Sequence, residues 1–152
     1  MALIHNQLYN TDSLKISLLN YIKNLVAEIQ KSFEGETSEV NLNIDPDYEV
    51  DVDNMVPLGL IANELITNSY KYAQQRPILL TITLKHDGEY HILEFKDNGP
   101  GLPEGFDLAK AKSTGIWLVS RLAMQLHGRH EYEYQNGAVF SIYFRQSQFV
   151  EA

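Results

Sequence analysis

The sequence predicts a single α+β domain, a two-layer sandwich in which three helices cover one face of a mixed, mostly antiparallel sheet. Two observations predict this fold. Apolar residues recur at helical spacing in three long segments, and segments of alternating polarity are grouped into hairpins around short turns. Hairpins favour antiparallel pairing, and helices between them bury their apolar faces on the sheet. The chain has 152 residues, enough for one domain with a core of its own.

The first half of the chain is predicted to hold two helices and two short strands. Apolar positions repeat at helical spacing through residues 14–33, and this amphipathic helix is expected to end near Gly35. Apolar residues alternate with asparagines over residues 40–44, which predicts a half-buried strand. Residues 48–52 are a candidate for a second short strand. The next helix is predicted over residues 55–73.

The second half is predicted to hold two hairpins and a third helix between them. The turn signals are His86-Asp87-Gly88-Glu89 and Gln135-Asn136-Gly137. The third helix is expected over residues 114–126, ended by Gly128. Glycine and proline make residues 98–112 irregular. The four predicted strands of the hairpins are residues 78–85, 90–96, 129–134 and 138–145.

Composition excludes several classes of function. The net charge of −8 argues against a nucleic-acid partner, which needs a basic face. The chain has no cysteine, so disulfides and thiolate metal sites are excluded, and a reducing compartment fits. No apolar run approaches the ~20 residues that cross a bilayer, and no signal peptide is recognised, so no membrane contact is expected. The acidic run 45–53 lacks the glycine and glutamate of a calcium loop, and a solvated loop is the preferred interpretation.

Polar side chains follow one edge of the second predicted helix. Glu64, Asn68 and Lys71 fall within about 60° of each other at ~100° per residue. They border an apolar face formed by Leu58, Ile61, Ala62, Leu65 and Ser69. Carboxylate and amide oxygens suit a hard cation, and an ammonium suits phosphate, so the set fits a magnesium–phosphate ligand. A solvated helix edge is the alternative, and the stripe alone does not decide between them.

Asp97 ends a predicted strand and precedes Asn98-Gly99-Pro100-Gly101. It shares a strand face with Leu93 and Phe95, which should point at the helices, so its carboxylate is expected in the same layer. The carboxylate could accept a hydrogen bond from a ligand. The glycines after it would let the backbone come close to that ligand. The alternative is an aspartate that only caps the following turn.

Ser113-Thr114-Gly115-Ile116 opens the third predicted helix. Free backbone N–H groups at a helix start attract anions, so a phosphate could bind here. An ordinary helix start with Ser113 as N-cap is the alternative, and it is compatible with phosphate binding.

These motifs, at residues 63–73, 97–103 and 113–119, resemble in their order the ATP-binding catalytic domain of sensor histidine kinases. They match the N box and the two glycine boxes of a superfamily that also contains type II topoisomerases. Residues 56–60 and 125–128 resemble the second dimerisation-domain class of these kinases. Residues 3–9 resemble the end of that class's dimerisation and phosphoacceptor region. The chain is therefore predicted to comprise the tail of that region, 1–12, and a histidine kinase-like ATPase domain, 13–152.

The resemblance implies a Bergerat ATP-binding fold and a role for each matched residue. Asn68 would bind Mg²⁺, and Glu64 would polarise the attacking imidazole or order the metal's water. Lys71 and Tyr72 would contact the phosphates or ribose. Asp97 would accept the adenine amino group beside Gly99, Gly101 and Leu102. Residues 102–112 would form a lid with Phe106 as its hinge, and the residues beside the phosphates would be Ser113, Thr114, Gly115 and Ile116.

The resemblance also implies partners. ATP would donate its γ-phosphoryl group, with Mg²⁺, to a histidine helix of the same or a partner chain, and a response regulator would act downstream. The parent would be a homodimer in the cytoplasm, either free or as the cytoplasmic part of a membrane-attached sensor. None of the five histidines matches the acceptor position, and His5 in particular lies too close to the ATPase domain. Two alternatives remain open: an anti-sigma-factor-type serine kinase of the same superfamily and a non-catalytic nucleotide-binding module.

Overall fold

The computed structural model describes residues 14–73, 77–103 and 115–145. In chain order its elements are β1 (Lys15–Ser17), α1 (Leu18–Ser32), β2 (Ser38–Asn43), β3 (Glu49–Asp51), α2 (Val52–Lys71), β4 (Ile78–His86), β5 (His91–Asp97), α3 (Gly115–Gln125), β6 (Arg129–Tyr134) and β7 (Ala138–Phe144). The main sheet is five-stranded, in the order β2-β4-β5-β7-β6. β2 runs parallel to β4, and the other neighbours are antiparallel. The predicted α+β fold with a mixed, mostly antiparallel sheet is confirmed.

Alternation along the strands decides which face of the sheet is covered. On β5, Leu93 and Phe95 are buried while Lys96 is exposed. The buried side chains of the sheet form one cluster with those of all three helices, such as Ile22, Leu58 and Val119. The helices therefore share one face of the sheet, as the apolar periodicity predicted.

The first helix begins later than predicted, at Leu18 rather than near residue 14. Ser17 caps it, since its hydroxyl accepts a hydrogen bond from the backbone N–H of Asn20 at 3.2 Å. Residues 15–17 form β1 instead, which pairs antiparallel with β3 in a separate two-stranded sheet. The predicted strand near residues 48–52 exists as β3, but its partner is a segment that sequence periodicity assigned to the helix.

The second helix begins earlier than predicted, at Val52 rather than near residue 55. The carboxylate of Asp51 caps it by accepting a hydrogen bond from the backbone N–H of Asn54 at 3.0 Å. Part of the acidic run therefore serves as a helix start.

Within the described parts of the chain, no helix has both the length and the apolar character needed to span a membrane.

Candidate functional site

A cleft of about 800 Å³ opens between α2, the end of β5 and the start of α3. Its floor is the sheet, through Phe95, Ala138 and Phe140. One wall is the segment 99–103, which is called the glycine wall below. The predicted site residues that the structure describes all line this cleft: Glu64, Asn68, Lys71, Tyr72, Asp97, Gly99, Gly101, Leu102, Gly115 and Ile116. Ser113, Thr114 and Phe106 lie outside the described residues, as does most of the predicted lid.

Helix α2 presents its polar stripe to the cleft because its apolar face is fixed in the core. Ile61 and Leu65 are buried, and Glu64 and Asn68, on the neighbouring edge, are half-buried. Lys71 is exposed one turn further on, with its ammonium 5.4 Å from the centre of the Tyr72 ring. A carboxylate, an amide and an ammonium therefore follow one another along the cleft.

The Asp97 carboxylate lies in the cleft in a defined set of hydrogen bonds. Its Oδ1 accepts from the backbone N–H groups of Gly99, at 2.8 Å, and Ala138, at 3.3 Å. Its Oδ2 accepts from the hydroxyl of Ser69 on α2, at 2.6 Å. Because each carboxylate oxygen accepts about two hydrogen bonds, Oδ1 is saturated and Oδ2 can accept one more. Asp97 thus holds the turn and still offers one acceptor to a ligand.

Ser69 is a site residue that sequence analysis placed on the apolar face without giving it a role. The residue is 9% exposed, and its hydroxyl also lies 3.2 Å from the carbonyl oxygen of Leu65. The single hydroxyl proton goes to the stronger, charged acceptor on Asp97. This bond confirms that Asp97 points toward the helices. A serine within an apolar helix face was the available signal, but its partner on β5 is not visible in the sequence.

Gly137 supports Asp97 from the β6–β7 turn. It has φ +150°, and a Cβ at this position would overlap the carbonyl oxygen of Asp97. The close approach brings β7 next to the end of β5, where the N–H of Ala138 reaches the Asp97 carboxylate. Glycine is therefore required here both for its backbone angle and for its missing side chain.

Gly137→Ala is expected to destabilise the fold more than Gly88→Ala. Gly88 also has positive φ, +95°, but a Cβ there would meet nothing within 4 Å. Gly88→Ala should therefore cost only the left-handed strain, about 1–2 kcal/mol. Gly137→Ala adds the overlap with Asp97. Urea unfolding of both variants measures the difference, and equal losses of stability would show that the close approach is unimportant.

Gly115 brings the start of α3 against the polar stripe. A Cβ at Gly115 would lie 2.5 Å from Oε1 of Glu64, so the carboxylate lies directly beside the first residue of the helix. The free N–H groups of a helix start carry partial positive charge, which favours a carboxylate or a phosphate at this position. Glu64 and Gly115 are thus neighbours.

The donor set fits a metal that arrives with a phosphate ligand. Among the described residues, no group of three or more histidine, cysteine, aspartate or glutamate side chains is placed to hold a metal ion. Glu64 and Asn68 supply two oxygen donors on one helix edge. Mg²⁺ is commonly held by one or two protein oxygens together with waters and substrate phosphates. The residues present therefore suit Mg²⁺ bound to a nucleotide.

Comparison with known proteins identifies the family. Residues 53–148 match the model of the histidine kinase-, DNA gyrase B-, and HSP90-like ATPase family. The chain belongs to this ATPase family. Membership confirms the predicted superfamily and implies that the chain binds ATP.

Solved structures show the same fold in histidine kinase catalytic domains. The histidine kinase domain of the blue-light activated histidine kinase from Erythrobacter litoralis EL346 has a TM-score of 0.76, at 23% identity. The comparison covers 88% of this chain and 63% of that domain. The catalytic domain of histidine kinase ThkA has a TM-score of 0.71 and 16% identity, over 87% of this chain and 95% of that one.

A curated relative is part of a DNA topoisomerase. It is a component of type 2 DNA topoisomerase 6 from Methanothermobacter thermautotrophicus, and it is 46% identical over 52 residues, which are 32% of this chain and 10% of that protein. The chain thus spans a small part of this relative and less than two thirds of the Erythrobacter kinase domain.

Proposed function

We propose that this chain is the ATP-binding catalytic domain of a two-component sensor histidine kinase. It would transfer the γ-phosphoryl group of ATP to a histidine on a helix of the same or a partner kinase chain. The observation that carries the proposal is one cleft that holds two chemically different groups of side chains. Asp97 offers a single acceptor, and Glu64 lies beside Gly115 with Asn68 one turn further along the same helix edge.

The Asp97 end suits the adenine base. The open position on Oδ2 can accept one hydrogen bond, which matches the amino group of adenine. Phe95 and Phe140 give this part of the cleft an apolar floor for the ring. Gly99, Gly101 and Leu102 in the glycine wall would enclose the base from the side.

The part of the cleft lined by Glu64, Asn68 and Gly115 suits the phosphates. Asn68 and Glu64 would hold Mg²⁺, which when bound would neutralise charge on the phosphate oxygens. Lys71 and Tyr72, which line the cleft, would contact the phosphates or ribose, and the N–H groups at Gly115 and Ile116 would donate to phosphate oxygens. Glu64 would orient the attacking imidazole or a metal-bound water. These side chains position and neutralise charge, and that is the main contribution a protein makes to phosphoryl transfer.

The described histidines do not supply an acceptor within this cleft. His86, His91, His127 and His130 are all absent from its lining. His86 and His91 pair across the β4–β5 hairpin, with ring centres 4.6 Å apart. His127 is exposed, whereas His130 is half-buried, and burial lowers the pKa of His130. The proposed acceptor is therefore a histidine presented by a separate helix.

The proposal extends to the assembly in which the domain works. Residues 1–12 would be the tail of the dimerisation and phosphoacceptor region, and 13–152 the ATPase domain. The parent would be a cytoplasmic homodimer, free or attached to a membrane sensor, that passes the phosphoryl group to a response regulator. Support for a histidine kinase over a serine kinase of the same superfamily comes from the motifs at residues 56–60 and 125–128.

A transfer assay tests the proposed function. A helical hairpin carrying the phosphoacceptor histidine of this kinase class is fused ahead of residue 1, and the fusion is incubated with γ-labelled ATP and Mg²⁺. We expect label that is lost in acid, stable in base and absent when the acceptor histidine is replaced by Gln. Acid-stable label on serine in a supplied antagonist protein would favour the serine kinase instead. ATP binding without any transfer would favour the regulatory module.

A further inference from the structure

Tyr132 on β6 reaches the glycine wall from the edge of the main sheet. β6 is the last strand of the sheet, beyond β7. The Tyr132 hydroxyl accepts a hydrogen bond from the backbone N–H of Leu102 at 2.8 Å. β6 contains none of the motifs from which the site was predicted. Its residue Tyr132 nevertheless contacts the backbone of the cleft at Leu102.

Gly101 is shaped around this hydroxyl. It has φ +75°, and a Cβ there would lie 2.5 Å from Oη of Tyr132 and 2.8 Å from Cδ1 of Tyr134. Because the left-handed backbone and the missing side chain are both needed, glycine is required at this position. The hydroxyl therefore packs on Gly101 while it bonds Leu102.

The ring of Tyr132 is held by the floor of the cleft. Tyr132 lies opposite Phe140 in the β6–β7 ladder, and their ring centres are 4.8 Å apart with an interplanar angle of 47°. Phe140 itself lines the cleft. A tyrosine placed by its cross-strand partner loses little further freedom when its hydroxyl makes a hydrogen bond.

The glycine wall is consequently fixed at both ends. The carboxylate of Asp97 accepts from the N–H of Gly99 at one end, and the hydroxyl of Tyr132 accepts from the N–H of Leu102 at the other. The Leu102 N–H is thereby occupied, so Leu102 would meet a nucleotide with its side chain rather than its backbone donor. The two hydrogen bonds resist a shift of the residues between them.

We propose that Tyr132 is a positioning residue for the nucleotide: its hydroxyl holds Gly101 and Leu102 in the conformation that shapes the adenine end of the cleft. The proposal rests on the proposed function for the location of the base. If the glycine wall is already ordered, ATP binding does not have to reduce its conformational entropy. The hydroxyl should therefore strengthen ATP binding without touching the reacting atoms.

Tyr132→Phe removes the hydroxyl and keeps the ring that packs on Phe140. We expect ATP affinity to fall roughly 3- to 10-fold, the range of one neutral hydrogen bond. The Leu102 amide should exchange its hydrogen faster in the nucleotide-free protein, which can be followed by NMR.

Tyr143→Phe is the matched control. Its hydroxyl donates to Oε1 of Glu131 at 2.9 Å, in the same hairpin but with both side chains exposed or half-buried outside the cleft. This variant should leave ATP affinity and Leu102 exchange as in the wild type. Gly101→Ala, which pushes a methyl group against the Tyr132 hydroxyl, should also accelerate Leu102 exchange and weaken ATP binding.

Two results would overturn the proposal. Unchanged Leu102 exchange in Tyr132→Phe would mean that the hydroxyl does not hold the wall. Faster exchange with unchanged ATP affinity would mean that holding the wall does not serve nucleotide binding. Both readouts use binding and exchange alone. A wild-type protein that binds ATP but transfers nothing would therefore contradict the proposed function and leave the role of Tyr132 measurable.

Discussion

Asp97→Asn is expected to weaken ATP binding roughly 10- to 100-fold, the range of a lost hydrogen bond to a charged group. Oδ1 faces two backbone donors, from Gly99 and Ala138, so the asparagine oxygen should occupy that position. The amide nitrogen then takes the place of Oδ2. There it would point its own N–H groups at the adenine amino group, donor against donor. Isothermal calorimetry with ATP measures the loss.

Asp87→Asn provides the matched control for this substitution. Asp87 also accepts two backbone hydrogen bonds, from Glu89 at 3.0 Å and Tyr90 at 2.7 Å, but it lies in the exposed hairpin turn at the other end of β5. The ATP affinity of the Asp87→Asn variant should stay within about twofold of the wild type, since no ligand contact is removed. Equal affinity of wild type and Asp97→Asn would show that the base binds elsewhere.

Asn68→Ala is expected to lower transfer in the hairpin fusion by about 100-fold or more, the scale of removing one electrostatic group from a phosphoryl-transfer site. The change removes an oxygen donor beside Glu64 and leaves Asp97 and the apolar floor intact. Nucleotide affinity without Mg²⁺ should therefore be close to that of the wild type. The strengthening of ATP binding by Mg²⁺ should largely disappear. Titrations in Mg²⁺ and in a chelator separate the two effects.

Asn63→Ala controls for loss of an asparagine from the same helix. Asn63 is exposed and lies outside the cleft lining, and its replacement changes helix propensity by the same amount as Asn68→Ala. It should leave transfer and the Mg²⁺ effect unchanged. If Asn68→Ala weakened binding equally with and without Mg²⁺, Asn68 would contact the nucleotide directly and its metal role would be wrong.

Periodicity predicted most of this fold because local signals and tertiary packing agree. The β4–β5 and β6–β7 hairpins follow their turn residues, and α2 follows its apolar face. The same pattern failed at β1, where Ile16 continues the apolar sequence of α1 while its backbone pairs with β3. The strand near residues 48–52 was predicted, but the identity of its partner depends on contact between distant segments, so the pairing of β1 with β3 could not be predicted.

The residues of the candidate site could be predicted where they belong to one sequence motif. They could not be predicted where their role depends on contact between side chains of different elements. Strand parity was enough to orient Asp97 toward the helices. Its partner Ser69 looked like part of an apolar face, and Tyr132 was one position of the predicted strand 129–134 with no role assigned. Both roles depend on distances of 2.6 Å and 2.8 Å between elements far apart in sequence. Only the folded chain brings those atoms together.

A crystal structure with Mg²⁺ and a non-hydrolysable ATP analogue tests the central claim most directly. We expect the adenine amino group within hydrogen-bond distance of Oδ2 of Asp97, and the metal and phosphates beside Asn68 and Gly115. A nucleotide bound in the reverse direction, with its phosphates at Asp97, or bound outside this cleft, would contradict it.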